Sequence, residues 1–135
     1  MVKNIKYVFL YSYYKLYKWR YNTYGEEYLP KLTALLFLSL IVFSNVLSVL
    51  TTIHLFLPKN LLQLLFHSRI ITGLFGISIL LLCYLIIQKS GGDKVINLFE
   101  NETDLVKRRM NLFVNLYFFF SILTFILVVI LLIIL

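Results

Sequence analysis

Residues 112–135 read LFVNLYFFFSILTFILVVILLIIL, an apolar run of 24 residues that contains no charged side chain. Two further apolar runs occupy residues 33–56 and 70–88, and they also lack Asp, Glu, Lys and Arg. A helix needs about 20 predominantly apolar residues to cross the hydrocarbon core of a bilayer. The three runs therefore predict an all-α integral membrane protein with three transmembrane helices.

The composition of the whole chain also indicates a membrane protein. Of its 135 residues, 61% are hydrophobic and 14% are charged, and a soluble globule of this size cannot bury so much apolar surface. A membrane β-barrel requires strands that alternate apolar and polar residues, and segments such as LVVILLIIL (residues 127–135) do not alternate. The first apolar run begins too late and is too long for a secretory signal, so we expect it to stay attached.

The basic residues predict how the chain is oriented. Of the 13 Lys and Arg residues, 11 precede the first run or lie between the second and third runs, and only Lys59 and Arg69 lie between the first and second. The positive-inside rule then puts the N-terminus and the second loop in the cytoplasm and the C-terminus outside. We interpret the net charge of +7 as attraction to the lipid bilayer, and we expect no nucleic-acid partner.

The N-terminal segment is unusually rich in aromatic residues. Residues 7–28, YVFLYSYYKLYKWRYNTYGEEY, hold eight of the ten tyrosines and the only tryptophan. On a helical wheel they give an aliphatic face, a phenolic edge and basic flanks, which are typical of a helix lying in the headgroup region. Residues 1–28 are therefore predicted to be an interfacial amphipathic segment that precedes a three-helix transmembrane domain over residues 29–135. The predicted membrane-interface anchors are Tyr7, Tyr11, Tyr14, Lys15, Tyr17, Lys18 and Trp19. The alternative for this segment is a docking face for a cytoplasmic partner or for a nucleic acid stacked on the aromatic rings.

Small and weakly polar residues recur at helical spacing within the apolar runs. Ser44, Ser48 and Thr52 are four residues apart and share one helix face, along which another helix can approach closely. The predicted helix–helix interface comprises Ser44, Asn45, Ser48, Thr52, Thr72, Gly73, Gly76, Asn115, Ser121 and Thr124. In the alternative interpretation, the Ser44–Thr52 ridge faces the axis of a homo-oligomer and lines a narrow hydrated path.

The chain shows no recognisable catalytic or metal-binding motif. Cys83 has no sequence partner, and His54 and His67 are thirteen residues apart, which matches no metal-site spacing. We therefore predict no enzymatic activity, no cofactor and no metal. One point stays open: if the second span begins at Leu61, Arg69 lies below the outer surface and becomes the best functional candidate. An enzyme acting on lipids would require His67 and Arg69 to meet a carboxylate.

The second loop, GGDKVINLFENETDLVKRRMN (residues 91–111), begins with two glycines that are expected to end the preceding helix. Its apolar residues favour an amphipathic helix that runs into the third span. Glu100, Glu102 and Asp104 are two residues apart and point to different faces of a helix, so we expect a solvated face; the alternative is divalent-cation or acid/base chemistry.

Two stretches of the sequence carry a resemblance to known proteins. YSYYKLYKW (residues 11–19), together with FENETDLVKRRMNLFVNLYFFFSILTF (residues 99–125), resembles a group of small uncharacterised bacterial inner-membrane proteins. Those proteins have an aromatic-Lys segment near the N-terminus and an Asn-Glu motif, then basic residues, ahead of a last hydrophobic helix. The resemblance runs through Tyr13, Tyr14, Lys15, Tyr17, Lys18, Phe99, Asn101, Glu102, Arg108 and Ser121. It implies the topology and a bacterial inner membrane, and it implies no site residue.

Small-residue ridges without catalytic groups favour a non-catalytic function. We expect an accessory or immunity-type subunit that acts through protein contacts in the membrane, with a second copy of the chain or another membrane protein as its partner. The alternative is a homo-oligomeric pore or channel-forming effector.

Overall fold

The computed structural model describes residues 5–56 and 69–134, and within them the chain forms α-helices and no strand. A short 3₁₀ turn at Glu26–Tyr28 joins the first two helices. The five α-helices are α1 (Ile5–Tyr24), α2 (Pro30–Phe56), α3 (Arg69–Lys89), α4 (Asp93–Glu100) and α5 (Asp104–Ile134). The predicted all-α class is confirmed.

Three of these helices are long and apolar enough to cross a membrane. The segments that meet this requirement are Pro30–Ile53 of α2, Arg69–Lys89 of α3 and Asp104–Ile130 of α5. They correspond to the three runs seen in the sequence, so the prediction of three candidate spans is confirmed. The possible earlier start at Leu61 and the side chain of His67 lie outside the described residues.

The connection from α1 to α2 is a tight turn of a few residues. Gly25 and Leu29 both have positive φ angles, +81° and +47°, and α2 begins at Pro30. Proline suits the first helical position because its missing N–H would have no partner there. The turn places the start of α2 beside α1, and the two helices pack together.

The second loop differs from the single helix that its sequence favoured. Gly91 and Gly92 adopt φ angles of +108° and +52° and end α3, as expected. The chain then forms the short helix α4, leaves helical geometry at 101–103, and starts again as α5. The expectation of one continuous helix was therefore wrong. Helix α4 packs on α1 and buries Val95, Ile96 and Phe99, so it does not continue in line with the span α5.

Helix α2 is the centre of the bundle, since α1, α3 and α5 all pack against it. Helices α1 and α4 lie at the end of the bundle where α2 starts, and we call this the basic end. An ion pair of 2.7 Å between Lys31 Nζ and Asp93 Oδ1 joins the start of α2 to the start of α4 there. The N-terminal segment and the second loop, which the charge pattern assigned to one membrane face, thus lie together at one end of the bundle.

The outer surfaces of the long helices are left largely uncovered by the chain itself. The buried share of the most apolar stretch is 28% in α2, 17% in α3 and 11% in α5. Because α5 has the least cover, most of its apolar surface is available to lipid or to another helix.

Candidate functional site

An aromatic cluster holds α1 onto α4 at the basic end. Phe99 of α4 is 1% exposed, and the rings of Tyr7, Tyr11 and Tyr14 lie around it at centroid distances of 5.0, 5.1 and 5.6 Å. The first two contacts are edge-to-face, which is a favoured geometry for aromatic pairs. We refer to Phe99, Tyr7, Tyr11 and Tyr14 as the aromatic cluster.

Phenol groups of the cluster also bond to the start of α5 and to the residues just before it. The Tyr7 hydroxyl donates to Glu102 Oε1 at 2.9 Å. The Tyr11 hydroxyl lies 3.2 Å from both the Lys107 carbonyl oxygen and Asn111 Oδ1, and its one proton is shared between them. Burial and the bond to the Glu102 carboxylate raise the pKa of Tyr7 to about 12, and burial raises the pKa of Tyr11. Both phenols are therefore neutral donors at physiological pH.

Lysines of α1 complete this contact. Lys15 Nζ donates to the Asn111 carbonyl oxygen at 3.2 Å and to Asn115 Oδ1, and its partial burial lowers its pKa. Lys18 Nζ pairs with Glu100 Oε1 at the end of α4, and this hydrogen bond raises the pKa of Lys18. The position of α1 along α4 and α5 is thus set by directional bonds as well as by ring packing.

The middle of α1 is enclosed by protein on all sides. Four successive residues, Tyr11, Ser12, Tyr13 and Tyr14, are between 0% and 7% exposed. At 100° per residue, four positions cover most of the circumference of a helix. Tyr11 and Tyr14 therefore contact protein, and Trp19 is 51% exposed. Anchoring at the membrane interface by the seven predicted residues stays a prediction; they are Tyr7, Tyr11, Tyr14, Lys15, Tyr17, Lys18 and Trp19.

Seven of the ten residues predicted to form a helix–helix interface belong to α2 and α5. Five of them lie between these two helices: Asn45, Ser48, Thr52, Ser121 and Thr124. The centre of this contact is Asn45, whose Nδ2 donates to the Tyr117 hydroxyl at 2.9 Å and to Ser121 Oγ at 3.0 Å. Both amide protons of Asn45 thus bond across the helix pair. Sequence reasoning missed Tyr117, although its spacing of four residues from Ser121 puts both on one face of α5.

The hydroxyl groups near Asn45 bond to their own helices. Ser44 Oγ donates to the Ile41 carbonyl oxygen at 2.9 Å, and Ser48 and Thr52 donate to carbonyls one turn earlier at 2.8 Å. Thr124 Oγ1 does the same in α5, at 2.9 Å from the Phe120 carbonyl oxygen. Polar groups in lipid need partners within the protein, and these hydroxyls have them while leaving their oxygen lone pairs available.

Beyond Asn45, α2 and α5 diverge and leave an open groove of about 640 Å³. Ser48 and Ser121 lie at its base, 7% and 4% exposed, and Thr52 and Thr124 are exposed at its sides. The other lining residues are Asn45, Val49, Ile53, Tyr117, Phe120, Leu127 and Val128. We call this the α2–α5 groove. It is a narrow polar strip with apolar walls on the part of the bundle that would face lipid.

The remaining four predicted interface residues lie elsewhere. A Cβ atom at Gly76 would be 3.7 Å from Phe43 Cε2, so Gly76 lies at the α2–α3 contact. At Gly73 a Cβ would meet no heavy atom of the described residues within 4 Å. Thr72 lines a second groove, of about 670 Å³ between α2 and α3, together with both glycines and Arg69. Asn115 contacts Lys15 of α1 rather than another span.

Groups suited to metal binding or catalysis do not converge in the described part of the chain. Within residues 5–56 and 69–134, no three His, Cys, Asp or Glu side chains form a group that could hold a metal ion. The one cysteine, Cys83, is buried and free. The expected lack of a cofactor, a metal and an enzymatic activity stays a prediction.

Comparison with known proteins gives no match: the chain matches no family model, no curated protein and no solved structure. The resemblance to small bacterial inner-membrane proteins therefore stays a prediction.

Proposed function

We propose that the chain is a small non-catalytic membrane subunit of the accessory or immunity type, which acts by binding another transmembrane helix in the α2–α5 groove. The observation that carries the proposal is the groove itself, a strip of small hydroxyl side chains between apolar walls on the least covered side of the bundle. Small residues let two helix backbones approach closely, and side-chain oxygens accept hydrogen bonds from a partner.

The chemistry of the groove supports a protein partner more than a lipid chain alone. The hydroxyl groups of Thr52 and Thr124 donate their protons to carbonyls of their own helices. Their oxygens keep lone pairs that can accept a hydrogen bond from a partner's hydroxyl or amide group. Hydrogen bonds between transmembrane helices contribute on average about 0.6 kcal/mol each. An acyl chain supplies no such donor, whereas a helix with Ser, Thr or Asn on one face does.

The partner is proposed to be a second copy of the chain or a different membrane protein. The proposed location is a bacterial inner membrane, with α1 and α4 in the cytoplasm and the end of α5 outside. The orientation is supported by the 11 basic residues that precede the first apolar run or lie between the second and third runs. The compartment is supported by the resemblance carried by residues 11–19 and 99–125.

The homo-oligomeric pore has less support from the geometry. A hydrated path needs polar groups turned toward the pore axis, and both protons of the Asn45 amide bond within the chain. Conductance measured on purified protein in liposomes separates the two functions: a subunit gives no ion flux, and a pore does.

The experiment that tests the proposal is the mass of the complex extracted in native lipid. Val49→Trp fills the α2–α5 groove, and Leu81→Trp is the matched control, because Leu81 is 53% exposed on α3 and lines neither the α2–α5 groove nor the groove between α2 and α3. The wild type and the control are expected to keep a partner or second copy, and Val49→Trp is expected to lose it. A monomeric wild type, or an unchanged complex in Val49→Trp, contradicts the proposal.

A further inference from the structure

A third groove, of about 480 Å³, lies at the basic end between the start of α1 and the end of α3. It is lined by Ile5, Lys6, Phe9, Ile86 and Lys89. It thus combines two ammonium groups with three apolar side chains. The groove is separate from the α2–α5 groove, so a ligand can bind in it whether or not the proposed function is correct.

The two lysines of this groove differ from those that hold α1 in place. In the part of the chain that the structure describes, neither Lys6 nor Lys89 forms an ion pair or a side-chain hydrogen bond. Four other lysines of the basic end bond to protein groups; they are Lys15, Lys18, Lys31 and Lys107. Lys6 and Lys89 are also exposed, so their charges are free to bind an external anion.

The nearby carboxylates do not compensate these two charges. Asp93 and Glu100 are paired with lysines of α2 and α1, and Glu102 accepts the proton of the Tyr7 hydroxyl. Asp93 thus joins α4 to α2, Glu100 joins α4 to α1, and Glu102 joins α1 to the residues between α4 and α5. Glu102 keeps its negative charge in that hydrogen bond, but in the described part of the chain no carboxylate forms an ion pair with Lys6 or Lys89, and both ammonium groups are left unpaired.

The apolar part of the groove continues along α3. Ile5 is 91% exposed and Ile86 is 40% exposed, an arrangement that leaves apolar surface beside the two ammonium groups. Leu85, next to Ile86, and Leu82, one turn further from the basic end, are each 58% exposed on α3. Since Lys89 is the last residue of a candidate span, a ligand that fits here has its charge at the level of Lys89 and its apolar part beside α3. An anionic phospholipid has this form.

We propose that this groove binds one anionic phospholipid, with its phosphate at Lys6 and Lys89 and one acyl chain along Ile86 on α3. Basic side chains at the end of a span attract anionic headgroups, and the apolar floor distinguishes a bound lipid from general attraction to the membrane surface. The lipid bridges α1 to α3, and so adds to the packing of α1 on α2, α4 and α5.

The test uses the full chain reconstituted in vesicles of equal parts phosphatidylglycerol and phosphatidylcholine. After detergent extraction, native mass spectrometry counts the lipids that stay bound to each chain. The wild type is expected to keep one phosphatidylglycerol. The double variant Lys6→Gln and Lys89→Gln is expected to reduce the retained fraction about tenfold, because both phosphate contacts are removed.

The matched control is the double variant Lys94→Gln and Arg108→Gln. It removes the same charge from two exposed residues outside the groove, and it is expected to keep the lipid. An equal loss in the control shows diffuse attraction and overturns the proposal, as does equal retention of phosphatidylcholine by the wild type. Release of the lipid by millimolar inorganic phosphate also overturns it, since the site would then select phosphate alone. Unchanged helix content by circular dichroism shows that each variant is folded.

Discussion

Replacing Phe99 by alanine tests how α1 is held to the rest of the protein. Phe99 is 1% exposed, and replacing a buried Phe by Ala typically costs about 3–5 kcal/mol. Its edge-to-face contacts with Tyr7 and Tyr11 account for about 1–3 kcal/mol of this, at about 0.5–1.5 kcal/mol for each pair. Because the contact of α1 with α4 depends on this ring, we expect the loss to appear as opening of α1.

Hydrogen exchange of the α1 backbone amides measures this opening directly. Each 1.4 kcal/mol corresponds to a factor of ten, so Phe99→Ala is expected to accelerate exchange in α1 by about two to four orders of magnitude. Phe99→Leu keeps most of the apolar volume and loses only the ring contacts. It is expected to accelerate exchange by about one to two orders of magnitude.

Leu98 is the matched control for this measurement. It is the neighbour of Phe99 on α4 but is 54% exposed, and surface substitutions usually change stability by about 0.5 kcal/mol or less. Leu98→Ala should leave exchange in α1 nearly unchanged. If Phe99→Ala also leaves it unchanged, or if both variants accelerate it equally, the aromatic cluster does not hold α1 in place.

Three further predictions concern single contacts. Asn45→Leu should lower the free energy of unfolding in bicelles by about 1 kcal/mol, the sum of two interhelical hydrogen bonds. A double-mutant cycle with Tyr117→Phe should give a coupling energy of about 0.6 kcal/mol. Zero coupling would refute the hydrogen bond between Asn45 and Tyr117. Tyr7 should ionise at a pH of about 12 in an ultraviolet titration compared with Tyr7→Phe. Because the pKa of Tyr7 is raised above the ordinary value of 10.0, the contribution of Tyr7 to stability is complete below pH 10 and is lost as the pH rises through about 12. Ionisation of Tyr7 near pH 10 in the folded protein would contradict its hydrogen bond to Glu102. Gly73→Ala should leave the thermal stability unchanged or higher, since a Cβ there meets no atom of the described residues within 4 Å and Ala favours a helix; a clear loss would place an unseen contact at Gly73.

The three long helices were predictable because the bilayer selects them by composition. A run of about 20 apolar residues has few other stable solutions, and neither partners nor register are needed to recognise it. The ends of the helices were less predictable. Helix α5 begins at Asp104, well before the apolar run at Leu112, because polar residues outside the hydrocarbon layer can continue a helix without changing the hydropathy pattern.

The enclosure of α1 could not be read from its own sequence. The helical wheel describes which residues share a face, but Tyr7 and Tyr11 find their hydrogen-bond partners 95 to 100 residues further along the chain. Nothing in the local pattern distinguishes a tyrosine that meets a headgroup from one that meets Phe99, since both need an apolar ring surface and a polar hydroxyl partner. The signal that was available was the number of tyrosines, which exceeds what one interfacial edge of a helix can display.

The packing of α1 gives two of its basic residues a structural role in addition to the predicted role in orientation. Lys15 and Lys18 of α1 bond to α5 and α4, and these bonds form only if the N-terminal segment and the second loop lie on the same side of the membrane. Orientation and folding are therefore coupled: a chain inserted with these two regions on opposite sides cannot assemble the aromatic cluster. Lys15 and Lys18, two of the basic residues from which the orientation is predicted, thus also hold α1 in the folded protein. Among the lysines that the structure describes, Lys6 and Lys89 are left unpaired, and they are the two for which binding of an anionic lipid is proposed.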